Sequence, residues 1–162
     1  MRVLLFAFLT LVSFTLYGGG QTPHPQYKLL EVSDFTAEAT LARQGKTPIM
    51  LLVSQEHCSF CDQIKRDILY PMLASGDYDG RLLIREIVTN LGSRVIDFKG
   101  QLRDSGTFVL DYKAYLTPTL LFLDAEGNEL SERIVGIQTP ELFPFYVERA
   151  IEDAIVAFPG RD

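Results

Sequence analysis

The chain holds two cysteines, and they stand two residues apart in Cys58-Ser59-Phe60-Cys61. Their flanks limit what the chain can fold into. An unbroken apolar run, Ile49-Met50-Leu51-Leu52-Val53, comes just before, long enough for a fully buried strand. Ile64, Ile68 and Met72 come after at every fourth position, the repeat of one helix face. The pair therefore sits where a buried strand hands over to a helix N-terminus, with its unpaired N–H groups and partial positive charge. A thiolate is stabilised there: a free cysteine titrates at about 8.5, and helix N-termini and Cys-x-x-Cys spacings lower this to roughly 3.5–7.5. Cys58 is the candidate attacking sulfur and Cys61 the candidate resolving sulfur of a dithiol/disulfide site. The same residues also allow a structural disulfide, a zinc site or two inert thiols. A disulfide closing so short a loop constrains the unfolded chain little. Zinc would find at most three ligands in Cys58, Cys61 and His57, because the other histidine, His24, lies in a Pro-rich segment far from any second cysteine pair.

At 162 residues, 47% apolar and 22% charged, the chain has material for one domain with a substantial core. Its net charge of −6 and lack of a basic cluster argue against nucleic acid as a partner. Arg2 followed by the apolar stretch 3–17 and by Gly18-Gly19-Gly20 reads as a signal peptide over residues 1–20, with a retained N-terminal anchor as the alternative. The apolar run is short for a membrane span, which needs about 20 residues. No strand precedes the glycine triplet and no helix follows it, so it is not a phosphate loop. Residues 21–29 form a polar linker, and residues 30–160 the folded domain. Export implies a periplasmic or secreted protein in an oxidising compartment, where a cysteine pair is kept reduced by a partner or acts as an oxidant.

Along the domain, Ser33 or Asp34 is a candidate N-cap for a short helix with Phe35, Ala39 and Ala42 inside and Gly45 at its close. The cysteine helix is expected to run to about Ala74 and to kink or end at Pro71. Leu82–Val88 reads as a strand interrupted by Arg85-Glu86, residues 90–103 as a polar loop, and Thr107–Tyr115 as a weak helix. Leu120–Leu123 is a further apolar strand, with a turn at Asp124–Asn128 and a return strand over Leu130–Val135. A final helix starts near Thr139-Pro140-Glu141 or at Pro144, its inner face being Phe143, Val147, Ile151, Ala154 and Phe158.

This order of elements, with Cys58-Ser59-Phe60-Cys61 and the later Thr117-Pro118-Thr119, resembles the thioredoxin fold: α/β, with a central mixed four- to five-stranded sheet flanked by helices. The chain is most similar to small exported thioredoxin-like proteins such as the thioredoxin of bacterial sulfur-oxidation clusters. Asp34-Phe35, Gly45-Lys46-Thr47-Pro48, Phe122–Gly127 and Val135-Gly136 also match that group, so the resemblance spans roughly residues 30 to 157. It implies a cis Thr117–Pro118 bond lying against the disulfide, where the backbone of Thr117 pairs with an extended substrate strand. The residues alone fit an ordinary strand-starting proline. The chain departs from thioredoxin itself in three ways: Ser-Phe stands between the cysteines, His57 precedes Cys58 in place of a tryptophan, and Leu52 replaces a buried acid. That acid is the family's proton acceptor, so the general base is unassigned. Glu56 is near enough in sequence to contribute but reads first as a solvated loop residue; a protonated His57 would stabilise the Cys58 thiolate or present its ring to a partner, and is equally read as solvent-facing.

The implied chemistry is thiol–disulfide exchange, needing neither metal nor organic cofactor. Cys58 attacks a disulfide of an exported protein, Cys61 releases the reduced target, and a membrane thiol–disulfide electron carrier re-reduces the pair. Reductant and oxidant members differ by about 150 mV, or about 7 kcal/mol. The absence of an inserted helical domain disfavours the large oxidant class and so favours a reductase, which is expected to be a monomer. A disulfide oxidase or isomerase, and a non-catalytic protein-binding module, are the alternatives.

Overall fold

The computed structural model describes residues 27–160. The signal peptide expected over residues 1–20 and most of the expected linker lie outside the described residues. Among the described residues no helix is long and apolar enough to cross a membrane.

The elements follow in the order β1 (Leu30–Glu31), α1 (Phe35–Gly45), β2 (Ile49–Ser54), α2 (Ser59–Ile64), a π-helical stretch (Lys65–Leu69), α3 (Tyr70–Ser75), β3 (Leu83–Val88), β4 (Arg94–Ile96), β5 (Leu102–Asp104), α4 (Ser105–Leu110), β6 (Thr119–Leu123), β7 (Ile134–Val135) and α5 (Phe143–Ala157). The main sheet has the order β1-β3-β2-β6-β7. β1, β3 and β2 run parallel, while β6 and β7 are antiparallel to their neighbours. This is the mixed, helix-flanked sheet of a thioredoxin fold.

Side-chain alternation divides the core in two. Met50, Leu52, Ile84, Leu120 and Phe122 point to the face covered by α2, α3 and α5, packing on Ile64, Leu69, Met72, Val147 and Ile151. Ile49, Leu51, Val53, Leu121 and Leu123 point to the other face and pack on Phe35 and Ala42 of α1 and Phe108 and Val109 of α4. The two central strands, β2 and β6, are buried along their whole length, which explains their unbroken apolar sequences.

Local chemistry sets the helix boundaries. Asp34 caps α1 by accepting the N–H of Thr36 at 2.8 Å. The hydroxyl and amide of Thr36 together hold its carboxyl below the ordinary carboxylate range. At the other end the left-handed residue is Lys46, at φ 50°, and not Gly45. Gly45 is instead a close-approach position, where a Cβ would stand 3.0 Å from Thr47 Oγ1. In the cysteine helix, Pro71 does not end the helix. The turn before it widens, with Tyr70 N–H donating to Lys65 C=O, and α3 continues to Ser75. A proline ring collides with the carbonyl four residues back, and the π turn relieves that collision. α5 begins at Phe143 with Pro144 in its first turn, where a missing N–H leaves no bond unmade.

Several stretches differ from the sequence-based expectation: Leu30–Glu31 adds the edge strand β1, and the helix expected over Thr107–Tyr115 spans Ser105–Leu110, started by the Asp104 cap. Residues 90–103, expected as a loop, contain the β4–β5 hairpin. Of its strand residues only Val95 is buried, and the buried Asp97 sets the turn, its Oδ1 accepting the N–H groups of Lys99 and Gln101, each at 2.9 Å. The return strand is reduced to Ile134–Val135, preceded by an isolated bridge between Leu123 and Glu129, and Ser131 donates its hydroxyl to the Ala150 carbonyl of α5. Gly127, in the turn between them, has φ +85° and a backbone pressed on two rings: an added Cβ would meet Phe98 Cδ2 at 2.6 Å and Tyr112 Oη at 2.9 Å. Gly127→Ala therefore combines left-handed strain with overpacking. We expect a loss of about 3 kcal/mol and a thermal midpoint lowered by roughly 10 °C, read from thermal unfolding.

Candidate active site

The buried strand β2 delivers the chain to the site. After Ser54 come three exposed residues, Gln55, Glu56 and His57, and the loop is pinned where Glu56 N–H donates to Asn90 Oδ1 at 2.9 Å. His57 takes a left-handed conformation, φ 57°. For a non-glycine residue this is uncommon and costs energy. It turns the chain so that Cys58 enters the helix as its N-cap.

Cys58 is extended, at φ −101° and ψ 97°, and its Sγ accepts the N–H of Cys61 at 3.1 Å. Its carbonyl accepts the N–H of Asp62 at 3.0 Å. Cys58 thus occupies the place a serine or aspartate oxygen takes at other helix starts, and the first-turn dipoles point at its sulfur. The two sulfurs form a disulfide across a Cα–Cα distance of 5.2 Å. Cys58 is 9% exposed and Cys61 1%, so an incoming disulfide can reach only the first sulfur. Beside them Phe60 stands 60% exposed.

Thr117 and Pro118 lie at the same end of the sheet. Val53 pairs with Thr119 across β2 and β6, so the residues before Thr119 stand level with the end of β2, from which the cysteine loop departs. The Thr117–Pro118 bond is cis. Pro118 is buried, and its carbonyl accepts the N–H of Gly136 at 2.8 Å, while Thr117 is partly exposed. Leu116, before them, is 66% exposed.

Beneath the cysteine helix lies a polar group that sequence reading missed. Leu52 is fully buried, and its partner in register on β3 is Glu86. Glu86 is also buried; its Oε1 accepts the Ser54 hydroxyl at 2.5 Å and pairs with Lys65 Nζ at 2.5 Å. In the sequence, Arg85-Glu86 looks like an interruption of a strand. The structure shows why both charges are tolerated: they point to opposite faces, Arg85 to Glu38 of α1 at 2.7 Å and Glu86 to Lys65 under α2. The alternation of Ile84 with Glu86, and the placing of Lys65 four residues after Cys61, were the signals available.

A family model for the thioredoxin-like domain matches residues 35–151. No curated protein matches in sequence. Among solved structures, the chain is similar to thioredoxin f from spinach chloroplast (17% identity, TM-score 0.52, covering 78% of this chain and 93% of that one). It is likewise similar to mitochondrial thioredoxin 3 of Saccharomyces cerevisiae in its oxidised form (14%, TM-score 0.50, 77% and 94%) and to DsbH oxidoreductase (20%, TM-score 0.53, 84% and 92%). At such identities these structures speak for the fold.

Proposed function

Because the chain belongs to the thioredoxin-like domain family, we propose that it is a thiol–disulfide oxidoreductase that reduces disulfides of exported proteins in a periplasmic or secreted setting. The observation that carries this reading is the asymmetry of the pair: Cys58 Sγ is capped by a helix-start N–H and reachable, and Cys61 is sealed beneath it. In the reduced protein the Cys58 thiolate attacks one sulfur of a target disulfide, and the other sulfur leaves as a thiolate. Cys61 then loses its proton and attacks Cys58 Sγ. The second target thiolate leaves, and the Cys58–Cys61 disulfide remains, two electrons having passed to the target. A membrane thiol–disulfide carrier restores the dithiol. Thr117 and Pro118, level with the cysteine loop, form the backbone edge against which an extended target lies. His57 lines the approach. Within the family we group the chain with the small exported members of the sulfur-oxidation type, on the motifs from Asp34-Phe35 to Val135-Gly136.

Direction is tested by equilibrating the protein in glutathione or dithiothreitol redox buffers. A reductase has a potential near about −270 mV, and a value near about −120 mV would make the protein an oxidant instead. A protein inert toward disulfides in both redox forms would be a binding module.

A further inference from the structure

The two sulfurs have different proton problems. Cys58 shares the helix start with an N–H donor, so its anion is stabilised where it forms. Cys61 lies one turn inside, 1% exposed, and its own N–H is spent on Cys58. To attack the mixed disulfide it must lose a proton that bulk water cannot readily take.

Buried carboxylates among the described residues are Glu38, Glu86, Asp97 and Asp124. Glu38 is paired with Arg85 on the far face of the sheet. Asp97 and Asp124 cap their own turns, each accepting two backbone N–H groups on Oδ1. Glu86 alone of the four faces the cysteine helix. It is tied there by Lys65, whose backbone N–H bonds to the Cys61 carbonyl one turn above. Lys65 Nζ and the Ser54 hydroxyl both approach Oε1. The charges beside Glu86 are Lys65 and, in register on β1, the exposed Glu31. A buried ion pair of this kind is weak evidence of stabilisation, because replacing one with apolar residues of similar volume is often neutral or stabilising.

We propose that Glu86, held by Lys65 and Ser54, accepts the Cys61 proton during the resolving step. The inference rests on the redox reading above. The Cys61 S–H bond breaks, its proton passes to the Glu86 carboxylate, and the sulfur's electron pair forms the bond to Cys58 Sγ as the target thiolate leaves. Glu86 later returns the proton to solvent.

The test follows the full-length reduced protein reacting with the aromatic disulfide dithiobis(nitrobenzoic acid). One coloured thiolate is released when Cys58 attacks, and a second when Cys61 displaces the adduct. Glu86→Gln should leave the first phase unchanged and slow the second at least about tenfold at pH 7, with a rate that then climbs with hydroxide concentration. Glu86→Asp should recover part of the second-phase rate and the wild-type pH profile, which a merely space-filling role would not produce. The apolar double variant Lys65→Met with Glu86→Leu removes the charge without leaving one unpaired, and should match Glu86→Gln while keeping the wild-type melting midpoint. A folded double variant with a wild-type second phase overturns the proposal, as does an equal slowing of both phases in Glu86→Gln. Absence of any first phase in the wild-type protein instead sinks the redox reading itself.

Discussion

Cys58→Ser is expected to bring disulfide reduction down to the rate of uncatalysed exchange, while Cys61→Ser stops the reaction at a covalent adduct on Cys58. The difference follows from burial and hydrogen bonding. The only sulfur an external disulfide can approach is that of Cys58, and only there does a helix-start N–H stabilise an anion. A serine oxygen caps the helix equally well, so Cys58→Ser should fold normally and lose its chemistry outright. In Cys61→Ser the attacking thiolate survives and the group that would displace the target does not, so mixed disulfide accumulates to about one equivalent. Intact-protein mass spectrometry after reaction with a model disulfide reads both results. Turnover by Cys58→Ser, or free exchange without adduct in Cys61→Ser, would reverse the assignment of the two sulfurs.

The candidate site was legible in the sequence as far as its local parts went. A buried strand running into an amphipathic helix places whatever lies at the joint on a helix N-cap, so the position of Cys58 and Cys61 at a helix start could be read from their flanks. Pro118 was different. A proline before an apolar strand has several ordinary explanations, and only the register of Val53 with Thr119 shows that it shares an end of the sheet with the cysteines. Glu86 was legible only in fragments, its alternation with Ile84 and the spacing of Lys65 from Cys61, because its meaning depends on three elements at once. β2 supplies Ser54, the cysteine helix supplies Lys65, and the pleat decides that Glu86 and Arg85 point to opposite faces. Sequence distance hides such a cluster.

The fold divides along the same line. Elements with a long apolar repeat kept their places: the inner face of α5 is buried at Phe143, Val147, Ile151 and Ala154, with Phe158 just beyond it. Elements stabilised by polar side chains did not announce themselves. The β4–β5 hairpin has three residues a side and is shaped by Asp97. The wide turn before Pro71 is a response to a ring, and no periodic pattern foreshadows it.

Phe35→Ala should be the most damaging substitution on the opposite side of the sheet. Phe35 is the first residue of α1 and is fully buried. Its ring stacks on Phe98 and on Phe108, both at 4.8 Å between centroids. Phe98 belongs to the turn of the β4–β5 hairpin and Phe108 to α4, so one side chain joins three elements of the layer on this face of the sheet. Truncating a buried phenylalanine costs about 3–5 kcal/mol, and each lost aromatic pair adds about 0.5–1.5 kcal/mol. Against a total stability of about 5–15 kcal/mol, we expect a loss of about 5 kcal/mol and a thermal midpoint lowered by roughly 15 °C. Amide exchange should quicken first in the hairpin and α4. The cysteine helix packs on the other face of β2, so in the folded fraction at low temperature the Cys58 alkylation rate should match that of the wild-type protein. A shift of only a few degrees would show that the three rings are not the tie between these elements. An altered Cys58 rate in the folded variant would show that the two faces of the sheet are not independent.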